Sequence, residues 1–262
     1  MRQKIYQIDA FAEKVFSGNP AAVCPLQEWL ADELLLQIAA ENNLAETAFY
    51  VKHQDVFELR WFTPAVEVDL CGHATLAAAY VLFNLEGYTG DEIEFLSPLS
   101  GSLKVRKNGD NLSLNFPVDT ITSIPLETSH LACFKNVKPF AAYKGKSDIM
   151  LVFESETEIA AAEPQILNIE ALDARGVIIT APGENCDFVS RFFGPKVGIN
   201  EDPVTGSAHT TLIPYWANKL QKNSLSAQQL SARKGNLETQ LQGDRVEISG
   251  KAQLYMMGEI FI

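Results

Sequence analysis

The stretch EVDLCGHATLAAAYVLFNLEG, residues 67–87, decides the fold. From Ala74 to Leu85 it is almost wholly apolar and rich in small residues, and Gly87 closes it. An amphipathic surface helix keeps one polar face, so the lack of such a face predicts a buried helix. The run is too short to span a membrane. We therefore place this helix at the centre of a domain.

Short strands are predicted around this helix, because runs rich in β-branched and aromatic residues alternate with turn residues. Before it, strands are predicted at residues 4–11, 21–24, 46–51 and 56–62, with a covering helix at 32–41. After it, a strand is predicted at 92–96, and a hairpin joins 102–106 to 112–116 across Asn108-Gly109.

The second half of the chain repeats this plan. Strands are predicted at 149–153, 176–180 and 188–193, and a short helix at 156–162. A second apolar helix is predicted from Gly206 to Leu220, although Pro214 should distort its middle. Four strands follow in the prediction, at 228–233, 237–241, 245–248 and 253–261.

An internal repeat links the two halves. Arg60-Trp61-Phe62-Thr63-Pro64 is echoed by Arg191-Phe192-Phe193-Gly194-Pro195, and in each copy a glycine-led apolar helix follows closely. The repeat predicts an α+β protein of two pseudo-symmetric domains. We predict an N-terminal domain at 1–117 and a C-terminal domain at 124–250, with Pro117 and residues 119–123 as linker. A final strand at about 251–262 could pack back onto the first domain.

Composition excludes several classes of function. The chain has 262 residues and a net charge of −12, and no basic cluster of the size that nucleic acid requires. No signal-peptide or membrane-length apolar run is present, so no membrane partner and a cytoplasmic location are predicted. The four cysteines form no CxxC pair and the four histidines are scattered, which predicts free thiols and no metal site.

The first residues of the two apolar helices are candidates for binding an anion. Unpaired N–H groups at a helix N-terminus attract negative charge, and Gly72 and Gly206 would let a ligand approach the backbone. The alternative is that both glycines only permit close packing. His73 could transfer a proton or bind substrate, or be a buried core histidine. Ser207 and Asp202 could act in the site or be plain helix caps.

Glu46 is a candidate acid/base, because it stands among apolar residues where a strand begins, and burial makes a carboxyl group basic enough for proton transfer near neutral pH. The alternative is an ordinary surface glutamate. Cys71 lies beside a helix N-terminus, where a thiol can become reactive. The second helix has no matching cysteine, which favours a structural role for Cys71. The sequence contains no phosphate-loop, dinucleotide-binding, HExxH or GxSxG motif, so no cofactor is predicted.

Six segments of the sequence resemble the PhzF-like family of phenazine biosynthesis, which is related to diaminopimelate epimerase. They are Ile8–Phe11 with Phe16–Val23, Asn43–Phe49, Leu59–Pro64, Asp69–Thr75 and Glu201–Ala208. The resemblance covers most of the chain. It implies two epimerase-like domains, each a barrel-like sheet around a central helix, with an active site between them.

The resemblance also implies the roles of single residues. Glu46 matches the acid/base of the family, and His73 and Asp202 match further catalytic residues. Gly72, His73, Gly206, Ser207 and Asn19 are predicted to bind a small carboxylate substrate. Because the epimerases use two cysteines and only Cys71 remains here, the resemblance favours a proton shift on one face of a conjugated substrate. Homodimerisation is common in the family and is a further expectation.

Two alternatives stay open at this stage. The first is an amino-acid racemase or epimerase that uses Cys71 with a second base other than a thiol. The second is a metabolite-binding protein that keeps the site but catalyses no reaction.

Overall fold

The computed structural model describes residues 2–54 and 56–262, so residue 1, where the first predicted domain starts, lies outside the described residues. The chain divides into two compact units. Unit 1 comprises Met1–Asn115 and Ser249–Ile262, and unit 2 comprises Phe116–Ile248. Among the described residues, no helix has both the length and the apolar character needed to cross a bilayer.

Unit 1 is a sheet with two helices. Its elements are β1 (Arg2–Ala10), β2 (Asn19–Leu26), α1 (Asp32–Asn42), β3 (Glu46–His53), β4 (Val56–Phe62), β5 (Glu67–Val68), α2 (Gly72–Asn84), β6 (Glu92–Ser97), β7 (Gly101–Asn108) and β8 (Asn111–Pro117), the last of which runs across the unit boundary. The sheet order from β1 is β1-β2-β3-β4-β6-β7-β8, with parallel pairing at β2–β3 and β4–β6.

Unit 2 contains further strands and four α-helices. Its elements are β9 (Thr122–Ile124), α3 (Thr128–Leu131), β10 (Ala141–Lys144), β11 (Ile149–Val152), α4 (Glu156–Ala161), α5 (Ile166–Glu170), β12 (Val177–Pro182), β13 (Phe188–Gly194), a 3-10 turn (Pro195–Val197), β14 (Ile199–Asp202), α6 (Gly206–Leu220), β15 (Ser224–Gln229), β16 (Gly235–Gln242) and β17 (Arg245–Gly250). The pairing runs β9-β10-β11-β12-β13-β15-β16, with β11–β12 and β13–β15 parallel.

The last strand, β18 (Ala252–Phe261), belongs to unit 1, where it pairs antiparallel with β1 along the whole of that strand. The register shifts between Gln7 and Ile8. The first and the last strands of the described chain are therefore neighbours.

The central helix of unit 1 is the one predicted from its apolar sequence. Every residue of α2 from His73 to Phe83 is buried except Tyr80. The helix packs against β1, β2, β3, β7 and β18. Burial of all its faces leaves no room for polar residues beyond the first turn, which explains why the run consists of small and apolar side chains.

The repeated arginine motif has the same structural role in both units. Arg60 makes two hydrogen bonds to Glu67, both of 2.7 Å, and Arg191 makes two to Glu201, of 2.7 and 3.0 Å. In each unit the guanidinium also lies 5.0 Å from the centre of the phenylalanine ring two residues later. Such planar, stacked ion pairs suit arginine and not lysine. The sequence repeat thus corresponds to an arginine–glutamate ion pair and a stacked phenylalanine ring that occur in both units.

Pro214, at which a distortion was predicted, lies inside α6, and the helix continues past it. A proline removes the N–H that would bond to the carbonyl four residues earlier, which here belongs to Thr210. The Thr210 carbonyl accepts a hydrogen bond of 3.2 Å from the backbone N–H of Asp119 instead. Because the carbonyl keeps a partner, the helix continues to Leu220.

Two other element predictions were wrong in detail. The hairpin pairs Asn108 with Asn111, so its turn is Gly109-Asp110, one residue later than predicted, and Gly109 has a φ of +60°. The strand predicted at 228–233 lies at Ser224–Gln229 instead. That strand was missed because only Leu225 among its residues has a large apolar side chain. The strands β5, β9, β10 and β14 and the helices α3 and α5 were not predicted, because each has at most five residues, too few to show a periodic pattern.

Candidate functional site

Two parallel strands of unit 1 begin with polar residues. Asn19 is the first residue of β2 and Glu46 is the first residue of β3, and the register pairs Ala21 with Glu46. Because parallel strands start at the same edge of a sheet, both side chains lie at one edge. Both are buried; Glu46 is 9% exposed and Asn19 is inaccessible. Carboxyl groups are seldom buried, so Glu46 is a candidate for function.

The first turn of α2 lies beside these two residues. Cys71 is the N-cap, with extended backbone angles and no side-chain capping bond, and Gly72 is the first helical residue. His73 follows and is 4% exposed. The backbone N–H groups of this first turn have no partner within the helix, so they can bind an anion.

His73 is at the centre of this group of residues. Its Nε2 lies 3.3 Å from Oε2 of Glu46. On the other side of the ring, Nδ1 lies 3.2 Å from Nδ2 of Asn19 and 3.4 Å from Sγ of Cys71. Four of the residues predicted for the site or discussed with it, Asn19, Glu46, Cys71 and His73, are thus brought together within unit 1.

The contacts of His73 define which nitrogen carries its proton. An amide nitrogen can only donate a hydrogen bond, so Asn19 Nδ2 makes Nδ1 of the ring an acceptor. In a neutral imidazole the other nitrogen is then protonated. The Nε2–H group consequently lies on the side of Glu46, 3.3 Å from Oε2, in a contact that does not have the geometry of a hydrogen bond.

Burial keeps His73 neutral and makes stability depend on pH. Desolvation lowers the pKa of His73 from 6.5 to about 3. The unfolded chain therefore binds an additional proton between these two values, so stability is lost as the pH falls below about 6.5. Between pH 7 and pH 5, His73 should lower the free energy of unfolding by about 2 kcal/mol. When unfolding by urea is measured at pH 7 and at pH 5, the free energy of unfolding should fall less in His73→Gln than in the wild type. Equal losses would contradict the assignment.

In unit 2, Asp202 is the last residue of β14 and lies shortly before α6. Its Oδ2 accepts a hydrogen bond of 2.6 Å from the hydroxyl of Thr205, the N-cap residue of α6. Gln229 donates to the backbone carbonyl of Asp202 at 2.8 Å and accepts from the backbone N–H of Thr205 at 2.9 Å. The residues ahead of α6 are therefore held by a buried hydrogen-bond network.

Ser207 is the second residue of α6, and Arg175 holds its hydroxyl group. Nη2 of Arg175 donates to Ser207 Oγ at 3.0 Å, while the same guanidinium binds Asp148 through two bonds, of 2.9 and 2.5 Å. The Asp148 side chain is 4% exposed and that of Arg175 is 36% exposed. Burial alone would lower the pKa of Arg175. The hydrogen bonds that Arg175 donates to Asp148 have the larger combined effect with the nearby negative charges, and the pKa of Arg175 is raised.

The strand register relates Arg175 to Glu46. In unit 1 the residue opposite Arg60 lies three positions after Glu46. In unit 2 the residue opposite Arg191 lies four positions after Arg175. Relative to the residue opposite the repeated arginine, Arg175 therefore lies one position further towards the N-terminus than Glu46 does. The repeat therefore places a carboxyl group beside the helix in unit 1 and a fixed cation beside the helix in unit 2.

Sequence reasoning missed Arg175 and Asp148. A signal was available, because the two residues precede β12 and β11 by two positions and one position, and those strands are parallel neighbours. Opposite charges ahead of two adjacent parallel strands meet at one sheet edge. Sequence reasoning also missed Gln229, for which the sequence gives no signal.

Glu46, Cys71 and His73 each offer one metal-ligand atom, and these atoms all lie within 4.8 Å of one another. The prediction of no metal site considered the cysteines and the histidines separately. It did not consider that one histidine can be joined by a cysteine and a glutamate.

Comparison with known proteins gives consistent matches over the whole chain. The family model described as phenazine biosynthesis-like protein, PhzC-PhzF, matches residues 8–258. A protein of Pseudomonas aeruginosa named an uncharacterized isomerase is 50% identical, with 100% of each chain covered.

Solved structures confirm the fold class. The crystal structure of a PhzF-family protein of Enterococcus faecalis has a TM-score of 0.97 at 46% identity, covering 100% of both chains. A probable proline racemase of Agrobacterium radiobacter, 8% identical, has a TM-score of 0.63 and covers 99% of this chain and 93% of its own. That likeness concerns the fold alone. The predicted α+β, epimerase-like architecture is therefore correct.

Proposed function

Because the chain belongs to the phenazine biosynthesis-like PhzC-PhzF family, we propose that it is an isomerase that shifts a proton on a small carboxylate-bearing metabolite, with Glu46 as the acid/base. The observation that carries the proposal is the contact of 3.3 Å between the buried Glu46 carboxyl group and Nε2 of His73. A buried carboxylate that lies beside a neutral imidazole can both accept and return a proton.

The first step of the proposed reaction breaks a C–H bond of the substrate. The Glu46 carboxylate takes the proton and forms an O–H bond, while the electron pair of the C–H bond moves into the conjugated system that ends at the substrate carboxylate. Backbone N–H groups at the start of α2, around Gly72 and His73, stabilise the negative charge that develops. No cofactor takes part in this proposal.

The second step returns the proton to another carbon of the same conjugated system. Glu46 is the proposed donor: its carboxyl group holds the proton taken in the first step and exchanges it with solvent before returning one, so the product formed in D₂O carries deuterium. The low pKa of His73 disfavours a charged imidazolium at neutral pH. His73 is therefore proposed to position Glu46 as a neutral ring beside it. Removal and return by one carboxyl group occur on one face of the substrate.

The part that Asp202, Gly206, Ser207 and Asn19 take in this reaction is proposed on the family resemblance and on local contacts. Asn19 is proposed to fix the tautomer of His73 as well as to bind substrate. Ser207 is held by Arg175, so its hydroxyl group has a fixed position from which to bind a carboxylate. Asp202 is proposed as a further catalytic residue, oriented by Thr205.

Racemisation is a second candidate, favoured by the contact of 3.4 Å between Cys71 Sγ and His73 Nδ1. The two reactions differ in their products. A racemase inverts a stereocentre, whereas the proposed isomerase moves a double bond and leaves other centres unchanged. Chiral chromatography of the product, together with its NMR spectrum, separates the two.

The proposal is tested by incubating the protein in D₂O with a panel of small carboxylic acids that carry an acidic C–H bond beside a double bond. Deuterium incorporation, followed by NMR, should occur for at least one of them and should be accompanied by a shifted double bond. Ligands that raise the melting temperature without any exchange would support the metabolite-binding alternative and contradict the proposal.

A further inference from the structure

The proton-shift reaction uses Glu46 and His73 but gives no role to the Cys71 thiol that lies beside them. One carboxylate oxygen, one sulfur and one imidazole nitrogen lie within 4.8 Å of one another, and all three side chains are buried. We propose that this set binds a divalent transition-metal ion of the zinc type, and that the bound ion inhibits the enzyme.

The chemistry of the donors selects the class of metal. Magnesium and calcium prefer oxygen ligands, whereas zinc and cobalt accept sulfur, nitrogen and carboxylate oxygen together. Three protein ligands with a fourth position for water form a common zinc site. The Glu-Cys-His combination therefore favours a borderline-soft divalent ion.

The Cys71–His73 distance in the site is close to that of a tetrahedral centre, and the Glu46 oxygen lies within 4.8 Å. Zinc bonds of about 2.0 to 2.3 Å at tetrahedral angles separate the ligand atoms by roughly 3.3 to 3.6 Å. The contact of Cys71 Sγ with His73 Nδ1 is 3.4 Å, and that of Glu46 Oε2 with His73 Nε2 is 3.3 Å. Since only one nitrogen of the ring can bind the ion, a small side-chain rotation has to bring the third ligand closer.

The contacts of His73 indicate which nitrogen binds the metal. Nδ1 carries the lone pair that now accepts from Asn19 Nδ2, and it lies on the side of Cys71. The ion would replace the Asn19 donor at this nitrogen, and the Cys71 thiol would release its proton to solvent as the metal–sulfur bond forms.

Inhibition follows if Glu46 is the acid/base, so this half of the inference rests on the proposed function. A carboxylate oxygen bound to a metal ion has its lone pair engaged and is a much weaker base. The same ion also reduces the mobility that Glu46 needs to deliver a proton to a second carbon. Metal binding itself does not depend on the proposed function.

Binding is tested with Co²⁺ added to the full chain, since a cobalt–thiolate bond gives a charge-transfer absorption that free Co²⁺ lacks. One equivalent should produce the band, and Zn²⁺ should abolish it by competition. Cys71→Ser should remove the band, whereas Cys186→Ser, at a half-buried cysteine in unit 2, should keep it. Glu46→Gln, which keeps the thiol, should weaken cobalt binding at least tenfold. Absence of the band, or its survival in Cys71→Ser, would overturn the inference.

The inhibitory half is measured separately, as deuterium exchange of an active substrate with increasing Zn²⁺. Exchange should fall in parallel with loading of the site, and a chelator should restore it. Exchange that persists with the site filled would refute inhibition. A cobalt band in a protein that exchanges no substrate would leave metal binding established and refute the proposed function alone.

Discussion

Glu46→Gln should reduce the rate of substrate deuterium exchange by about 10²- to 10⁴-fold, the usual contribution of a general acid/base. Glutamine has nearly the same shape but cannot accept a proton at the pH of the assay. Exchange rates in D₂O, measured by NMR on a substrate found in the panel, provide the test.

The matched control for this substitution is Glu41→Gln. Glu41 is an exposed residue of α1, five positions before Glu46. The control therefore makes the same substitution at the protein surface. Its exchange rate should equal that of the wild type. Wild-type exchange in Glu46→Gln would exclude Glu46 as the acid/base, whatever the control shows.

Arg175→Met should lower the free energy of unfolding by about 3 kcal/mol, because it leaves the buried carboxyl group of Asp148 without its ion-pair partner. The pair is bidentate, and Asp148 is 3% exposed. The free energy of unfolding is obtained from urea titration. A loss below about 1 kcal/mol would show that water replaces the arginine.

Two further variants show whether the loss of stability comes from the burial of the ion pair or from its charge alone. Arg2→Met removes an exposed ion pair, in which the N–O distance to Glu259 is 3.8 Å, and should cost less than about 1 kcal/mol. Combining Arg175→Met with Asp148→Leu should recover part of the loss, since a buried pair replaced by apolar groups is often neutral. A double variant as unstable as the single one would contradict this account.

The predictable part of the fold is the part in which periodicity is strong. The run from Ala74 onward has no polar face, and only a helix at the centre of a domain can bury such a surface. The arginine repeat could be found because each copy keeps an ion pair and a stacked ring. Strands such as β9 and β10 have weak patterns, and their positions depend on pairing with distant residues.

The candidate site could be predicted only in part. Asn19, Glu46 and His73 are far apart in sequence, and it is the parallel pairing of β2 with β3 and the packing of α2 that bring them together. Sequence supplied the residue types and the family resemblance. The protonated nitrogen of His73 depends on tertiary contacts, which no local pattern encodes. The Arg175–Asp148 pair can be predicted only once β11 and β12 are known to be parallel neighbours.

The pairing of β1 with β18 has a consequence for synthesis in the cell. Arg2 pairs with Phe261 and Ala10 pairs with Ala252. The ribosome therefore synthesises the partner strand of β1 about 240 residues after β1 itself. At typical translation rates this delay is roughly ten to fifty seconds. During that interval the nascent chain presents an unpaired strand edge, which favours association with other chains or with a chaperone. Completion of unit 1 therefore comes only after β18 has been synthesised, even though most of the unit leaves the ribosome earlier.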